Sequence, residues 1–261
     1  MPELPDLEVF AGNLNRRFKG QRVTKVSVKW AKKLNVKVAE LEEAVTGKKV
    51  TEICRSGKTL VCGFEGGVSL GFHLMLHGEI HLVAPGDEEP RFEIIGLYFD
   101  NDTILVITDF QKAAVVTLNP ETPEVPDALD LKPGYLHKLL QGKRTQVKQV
   151  LLDQKSIRGI GNAYADEILW KAGVSPFSIA KALPDTAVKK LGKAISDVLN
   201  QAVKNIKKEN PDRVSGEYRE FLKIHNSKLE KTPDGEEIRV DKKGSRKTYY
   251  TDSQIKYMPQ D

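Results

Sequence analysis

The sequence predicts an α+β protein of two domains, and three stretches of the chain carry that prediction. Residues 22 to about 118 contain short runs with the alternating polarity typical of strands. Residues 119–134 hold four of the thirteen prolines and little periodic order, which indicates an interdomain linker. Beyond this linker, apolar residues recur at helical spacing. We therefore expect a β-sandwich domain flanked by helices, and then a helical domain that ends in a β-hairpin.

The first domain, residues 1–118, should open with a buried amphipathic helix that ends before Gly20. Its apolar residues at helical spacing are Leu7, Phe10, Leu14 and Phe18. A second helix is expected over residues 38–45. Short apolar runs predict strands, and the Asn101-Asp102 pair between two of them predicts a hairpin turn. These runs cover residues 61–64, 68–74, 97–99 and 104–107.

The second domain, residues 135–261, should contain three helices. A short one includes residues 147–151, another covers 163–171, and a long amphipathic one covers 188–206. The last stretch returns to strand character around Lys242-Lys243-Gly244, which predicts a β-hairpin within about residues 232–254.

Composition limits the classes of function. The pI near 9.0 and the net charge of +5 favour an anionic partner, although a solvated charged face would look the same. Cys54 and Cys62 are the only cysteines, too few for a four-cysteine zinc site, and they suit a reducing cytoplasm. The sequence shows neither a membrane span nor a signal peptide, so we expect a cytoplasmic location.

The N-terminal residues Met1-Pro2-Glu3 carry the strongest chemical signal. Removal of Met1 would give Pro2 a free secondary amine beside the carboxyl group of Glu3. An α-amino group has a pKa of about 8, so more of it is unprotonated at neutral pH than of a lysine. Such an amine can attack an electrophilic carbon and form an iminium. Alone, this start would favour an idle, disordered tip. A retained Met1 would block the nucleophile in a peptide bond.

A glycine-rich turn, Gly159-Ile160-Gly161-Asn162, joins two predicted helices and suits phosphate binding. Asn162 is expected to cap the second helix, whose exposed backbone N–H groups would attract an anion. Basic residues outnumber acidic ones around this turn by five to one. The basic residues are Lys143, Arg144, Lys148, Lys155 and Arg158. A plain helix–turn–helix connection is the alternative.

Three separated motifs resemble the family of DNA glycosylases that comprises formamidopyrimidine-DNA glycosylase and endonuclease VIII. They are Pro2-Glu3-Leu4-Pro5, Gly159-Ile160-Gly161-Asn162 and Gly244-Ser245-Arg246-Lys247-Thr248-Tyr249. Together they span nearly the whole chain. The resemblance implies a β-sandwich followed by a helix–two-turn–helix domain. It also implies base excision repair of oxidised bases through glycosylase and abasic-site lyase activities, with β,δ-elimination from a Schiff base.

The resemblance also assigns roles to matching residues. Pro2 would be the nucleophile, Glu3 the proton donor to the opening sugar, and Lys58 a phosphate contact that assists elimination. Arg246 would hold a phosphate and assist the second elimination, and Asn162 would hold another. Further DNA contacts are expected at Arg144, Lys148, Lys155, Leu76 and Gln111. No metal or organic cofactor is required, and we expect a monomer whose partner is damaged DNA.

The chain departs from the family in two places. The usual four zinc-ligand cysteines are absent, so the C-terminal hairpin should be a zincless finger that depends on backbone pairing and on side chains such as Tyr249. The family fills the gap left by an extruded base with three side chains. Leu76 suits one of these positions or the core, but Gln111 and Ala113 stand where an Arg and a Phe are usual. Phe110 is displaced by three residues.

This second departure predicts weak discrimination of the base opposite the lesion, and tolerance of single-stranded DNA. The class of lesion stays open. The role of residues 210–231, expected near the base pocket, is not readable from the sequence. Three other functions remain compatible: a catalytically inactive DNA-binding member of this fold, an unrelated N-terminal-proline enzyme such as a tautomerase, and an RNA-binding protein.

Overall fold

The computed structural model describes residues 1–243 and 246–259, which form two compact units. The first unit comprises Met1–Thr122 and Ile206–Glu217, and the second comprises Pro123–Asn205 and Tyr218–Asp261. The change of unit after residue 122 falls inside the expected linker. Residues 206–217, which the sequence assigns to the second domain, cluster with the first unit instead.

Helix α1 (Leu4–Phe18) opens the first unit, and a reciprocal capping box fixes its start. The carboxylate of Glu3, the N-cap residue, accepts a hydrogen bond from the backbone N–H of Asp6, and the Asp6 carboxylate accepts one from the N–H of Glu3 at 2.9 Å. All four predicted apolar positions of this helix are buried. The residue next to Pro2 is therefore held in place rather than left to fray.

Two four-stranded antiparallel sheets form the predicted sandwich, and side chains from both join α1 in one apolar core. The strand orders are β1-β6-β7-β5 and β2-β3-β4-β8. The strands are β1 (Val23–Val28), β2 (Val50–Ser56), β3 (Thr59–Phe64), β4 (Ser69–His73), β5 (Glu79–Val83), β6 (Glu93–Phe99), β7 (Ile104–Thr108) and β8 (Val115–Leu118). The predicted second helix is α2 (Val38–Val45). The expected hairpin at Asn101-Asp102 is confirmed by the β6–β7 pair, and the runs on either side of Gly66-Gly67 pair as β3 and β4.

The second unit is helical with one hairpin, as predicted. Its elements are α3 (Tyr135–Gln141), α4 (Val147–Leu152), α5 (Asn162–Ala172), α6 (Asp185–Glu209, whose last residues belong to the first unit), β9 (Arg239–Lys243) and β10 (Arg246–Tyr250). The sequence missed α3, a helix of only seven residues. Gly244 and Ser245 of the predicted hairpin motif lie outside the described residues. Within the described part of the chain, no helix is both long and apolar enough to cross a membrane.

Candidate active site and DNA-binding surface

The N-terminal end of α1 meets a cleft of about 720 Å³ in the first unit. Pro2 is buried and lines this cleft, hereafter the Pro2 cleft, with residues from the segments 76–81, 90–92, 108–110 and 216–217. Met1 precedes Pro2, and its amino group contacts the carboxylate of Glu217. The Pro2 nitrogen is therefore in a peptide bond here, and the chemistry predicted for it requires Met1 to be removed. Glu217 is a cleft residue that the sequence did not single out.

A tight turn, Leu74–Gly78, projects Leu76 into the Pro2 cleft. The N–H of Gly78 donates to the carbonyl of Leu74 at 2.8 Å, and a Cβ on Gly78 would lie 2.3 Å from that oxygen. Only glycine fits this position. Leu76 is 59% exposed, which rules out the reading of this residue as simple core. Its exposure instead suits a side chain that contacts DNA.

The neighbouring loop, residues 109–114, is organised by Asp109, which is 1% exposed. Its carboxylate accepts three backbone hydrogen bonds, from Gln111 at 2.9 Å, from Ala113 at 2.8 Å and from Ala114 at 2.8 Å. Gln111 is exposed, as a DNA contact requires. Phe110, which the sequence spacing placed three residues away from the usual Phe position, is 56% exposed and lines the Pro2 cleft.

Lys58 is half-buried in the turn between β2 and β3, directly after Gly57, whose φ is +60°. Burial, and then the positive charge of Lys58, lower the pKa of His73 at the end of β4. Lys58 directly precedes β3, and His73 ends β4, the strand that pairs with β3. The described residues that line the Pro2 cleft do not include Lys58. Of the predicted catalytic residues, Pro2 therefore lies in the same cleft as Leu76, and Glu3 is adjacent to Pro2 in sequence. Lys58 does not line this cleft.

In the second unit, the glycine-rich turn is pinned by Gln154. Its side chain accepts the N–H of Gly159 at 2.8 Å and donates to the carbonyl of Ile160 at 2.9 Å. Gly159 has a φ of +100°, which favours glycine. Lys155, which follows Gln154, is exposed. Arg144, just before α4, is also exposed, so both side chains can reach an anion from solvent.

Asn162 is the first residue of α5 rather than its N-cap, so the cap prediction is wrong by one position. Gly161 is the N-cap and offers no side chain for capping. One N–H of the Asn162 side chain bonds outside α5, since Nδ2 donates to the carbonyl of Lys247 at 2.9 Å. Lys247 follows Arg246, which begins β10 and is exposed. Two of the expected phosphate contacts, Asn162 and Arg246, therefore lie at the same end of the hairpin strand.

Lys148 requires a correction, because the structure does not present it as a surface lysine. It is 6% exposed, and its Nζ lies 2.7 Å from Oδ1 of Asp166 and 2.8 Å from Oγ1 of Thr248. A buried lysine in an ion pair cannot also reach a phosphate without breaking that pair. Lys148 instead joins α4 to α5 and β10, a structural task that nothing in its sequence neighbourhood revealed.

Asp166 is the centre of this buried cluster in the second unit. Besides Lys148, its carboxylate contacts Nδ1 of His225 at 2.7 Å and accepts the N–H of Tyr249 at 3.0 Å. Tyr249 is buried, and its ring lies 4.6 Å from that of His225. These contacts tie the hairpin strand β10 to the helices. Among the described residues, no group of three or more His, Cys, Asp or Glu side chains could hold a metal ion.

Comparison with known families matches both units. Residues 1–116 match the model of the formamidopyrimidine-DNA glycosylase N-terminal domain, and residues 123–211 match the model of the formamidopyrimidine-DNA glycosylase H2TH domain. A formamidopyrimidine-DNA glycosylase of Carboxydothermus hydrogenoformans is 35% identical over 204 residues, 76% of each chain. One of Pelotomaculum thermopropionicum is 29% identical over 273 residues, covering 96% of this chain and 97% of that protein.

Solved structures share the same fold. The Lactococcus lactis Fpg in complex with DNA containing an abasic site superposes with a TM-score of 0.86 at 23% identity, covering 96% of this chain and 98% of that one. MutM in complex with DNA containing carbocyclic 8-oxo-G gives a TM-score of 0.85 at 23% identity, with the same coverage.

Proposed function

The chain belongs to the formamidopyrimidine-DNA glycosylase family, and on that premise we propose that it is a DNA glycosylase that excises oxidised bases and then cleaves the strand at the resulting abasic site. The observation that carries this proposal is the position of Pro2, buried in the wall of a cleft of about 720 Å³ at the start of a firmly capped helix. A nucleophile in a preformed cleft is held ready for attack.

The first step is base excision. Once Met1 is removed, the secondary amine of Pro2 attacks C1′ of the damaged nucleotide, and the bond from C1′ to the base nitrogen breaks. The base leaves with the proton that the Pro2 nitrogen loses on bonding to C1′, and the sugar ring opens as O4′ takes a proton from Glu3. The product is an iminium that joins Pro2 to C1′. Capping fixes Glu3 next to Pro2, which supports this assignment.

Strand cleavage follows from the iminium. Loss of a proton from C2′ breaks the bond from C3′ to its phosphate, which is the β-elimination. A second elimination, with loss of a proton from C4′, breaks the bond from C5′ to its phosphate. Water then hydrolyses the iminium, which frees Pro2 and releases the sugar remnant. We assign Arg246 and Lys58 to assist these steps by holding the phosphates, since each eliminated group leaves as an anion.

The lesion must leave the base stack before Pro2 can reach C1′, at a cost of a few kcal/mol. We propose that the second unit contributes to this extrusion by binding phosphates of the DNA strand. The residues that would bind them are Asn162, Arg246, Lys155 and Arg144. The exposure of Arg144, Lys155 and Arg246 supports this, as does the start of α5, where Asn162 bonds to Lys247, the neighbour of Arg246. Lys148 supports this phosphate binding indirectly, because its contacts with Asp166 and Thr248 hold β10 in place.

Strand cleavage of defined oligonucleotides tests the proposal. Duplexes containing formamidopyrimidine, 8-oxoguanine, an abasic site or no lesion are incubated with protein whose terminus is confirmed by intact mass. The matched control is the same protein with a short N-terminal extension left in place, which changes only the bonding of the Pro2 nitrogen. We expect the free-terminus protein to cut damaged duplexes, and the extended form to cut them at least about 1,000-fold more slowly.

The main alternative is a catalytically inactive DNA-binding member of this family. It predicts that both forms bind a duplex with a non-cleavable abasic analogue and that neither cuts any substrate. Cutting at equal rates by both forms would instead contradict the role of Pro2.

A further inference from the structure

Exposed apolar side chains concentrate in the Pro2 cleft. Of the seven large apolar side chains that are exposed in the described part of the chain, three line this cleft: Leu76, Phe92 and Phe110. Both exposed phenylalanines are among them. Single exposed apolar residues are ordinary on protein surfaces, but clustered ones mark a binding surface.

Phe92 is held in an uncommon backbone conformation. Its φ is +62°, in the left-handed region that a bulky residue rarely adopts, and its side chain is 57% exposed. The N–H of Asp109 donates to its carbonyl at 3.0 Å, which links this residue to the neighbouring loop. An exposed aromatic ring kept in such a conformation beside a candidate nucleophile suggests a task in binding.

Phe110 is braced rather than mobile. It follows Asp109, whose carboxylate accepts the three backbone N–H groups that shape the loop. The ring of His77 supports it from the turn that carries Leu76, with ring centroids 4.7 Å apart and the planes inclined by 48°. Because the ring is fixed while more than half of it stays exposed, it can stack on a partner at little cost in conformational entropy.

We propose that Phe92 and Phe110, the latter backed by His77, form a platform that stacks on unpaired DNA bases beside the nucleotide held at Pro2. This inference rests on the proposed function and extends its substrate class to lesions in single-stranded DNA. Aromatic rings stack on the face of any base, so the platform requires no particular sequence. In single-stranded DNA these faces are more accessible, and the lesion need not be unpaired first. Arg91, in the same cleft, supplies a positive charge for the backbone.

Binding of a single strand tests the platform directly. A labelled oligonucleotide with a central tetrahydrofuran abasic analogue is titrated by fluorescence anisotropy at one fixed salt concentration. Phe92→Ala and Phe110→Ala should each raise Kd by about 5-fold to 150-fold, the range expected for loss of one base–aromatic stack. Met258→Ala, which changes an exposed apolar residue outside the cleft, is the control and should leave Kd unchanged.

Two conservative changes separate stacking from general apolar contact. Phe110→Tyr keeps the aromatic ring and should bind the single strand like wild type. Phe110→Leu keeps apolar bulk without the ring and should bind as weakly as Phe110→Ala. The platform would be overturned if the alanine variants had a Kd within about twofold of the wild-type value. It would also be overturned if Phe110→Leu had the wild-type Kd. Equal urea midpoints for all variants exclude misfolding as the cause.

The proposed function is tested separately, by measuring whether the wild-type protein cleaves a duplex with a preformed abasic site. If the wild type cleaves it and the alanine variants still bind the single strand normally, only the platform is wrong. If the wild type cleaves no damaged DNA, the proposed function fails, whether or not the rings bind unpaired bases.

Discussion

Two aspartates, one in each unit, are both about 1% exposed and satisfied in opposite ways. Asp109 in the first unit accepts backbone N–H groups from residues no more than five positions away. Asp166 in the second unit contacts His225 and Tyr249, 59 and 83 positions away, as well as Lys148. The first carboxylate shapes one loop, whereas the second joins distant segments of its unit.

The difference shows how each unit serves its proposed role. A loop shaped from within can leave its side chains exposed, and Phe110 and Gln111 on the Asp109 loop are both exposed. A cluster that joins distant segments must enclose its charges, and Lys148 and Tyr249 are both buried. The first unit exposes side chains at the Pro2 cleft, while the Asp166 cluster holds the hairpin that carries Arg246. Substitutions at the two aspartates should therefore have different consequences.

The largest effect on stability is expected at Asp166. Asp166→Ala leaves Lys148 buried without its anion, so the free energy of unfolding should fall by about 3–5 kcal/mol. Urea denaturation measures this loss. The matched control is Asp197→Ala, which removes an exposed ion pair with Lys193 within α6 and should cost less than about 0.5 kcal/mol. Equal losses for the two variants would show that the Asp166 cluster does not hold the unit together.

A smaller loss of stability is expected at Asp109, together with a loss of activity. Asp109→Asn keeps the shape of the side chain but weakens the bonds to three backbone N–H groups, so unfolding should become easier by about 1.5–3 kcal/mol. Because Phe110 and Phe92 lose their fixed positions, excision should slow more than the binding of undamaged duplex. An excision rate equal to that of wild type would show that the Asp109 loop does not contribute to excision.

The Asp109 loop also carries the prediction about the opposite base. Gln111 can both donate and accept hydrogen bonds, whereas an arginine only donates. One lesion placed opposite each of the four bases should therefore be cut at rates within about tenfold, the size of a single hydrogen-bond difference. Gln111→Arg should introduce a preference among the four. A steep preference for cytosine in the wild type would contradict this reading of Gln111.

Much of the fold was predictable because its signals are local. The apolar spacing of α1 and the turn residues of the hairpins lie within a few positions of the structures they specify. The features that the sequence did not predict are either very short elements or depend on residues far apart in the chain. The seven residues of α3 are too few to show a period, and the regular pattern of α6 hides the change of unit at residue 206.

For the candidate site, the same limit applies. Lys148 looked like a surface residue because Asp166 and Thr248, which bury it, lie far away in the sequence. By residue spacing alone, Phe110 stands three positions away from the usual Phe. It nevertheless lines the Pro2 cleft, because the hydrogen bonds of the Asp109 carboxylate set the conformation of the loop. Pro2 and Glu3 could be singled out because their chemistry depends on the terminus itself.

The smallest predicted effect concerns pH and a half-buried group of the first unit, His73. Burial and the charge of Lys58 lower its pKa in the folded state, so the unfolded chain binds the proton more readily. The free energy of unfolding should therefore decline as the pH falls below about 6.5, the ordinary histidine value. Lys58→Met should make the decline shallower, as measured by urea midpoints between pH 5 and 7. A steeper decline in this variant would contradict the assignment.

Borohydride trapping followed by peptide mapping tests the central claim most directly. Protein with a confirmed Pro2 terminus is mixed with abasic-site duplex, reduced with borohydride, digested and sequenced by mass spectrometry. We predict one covalent adduct, with the deoxyribose carbon bonded to the nitrogen of Pro2. An adduct on a lysine such as Lys58, or strand cleavage with no adduct at Pro2, would contradict the account.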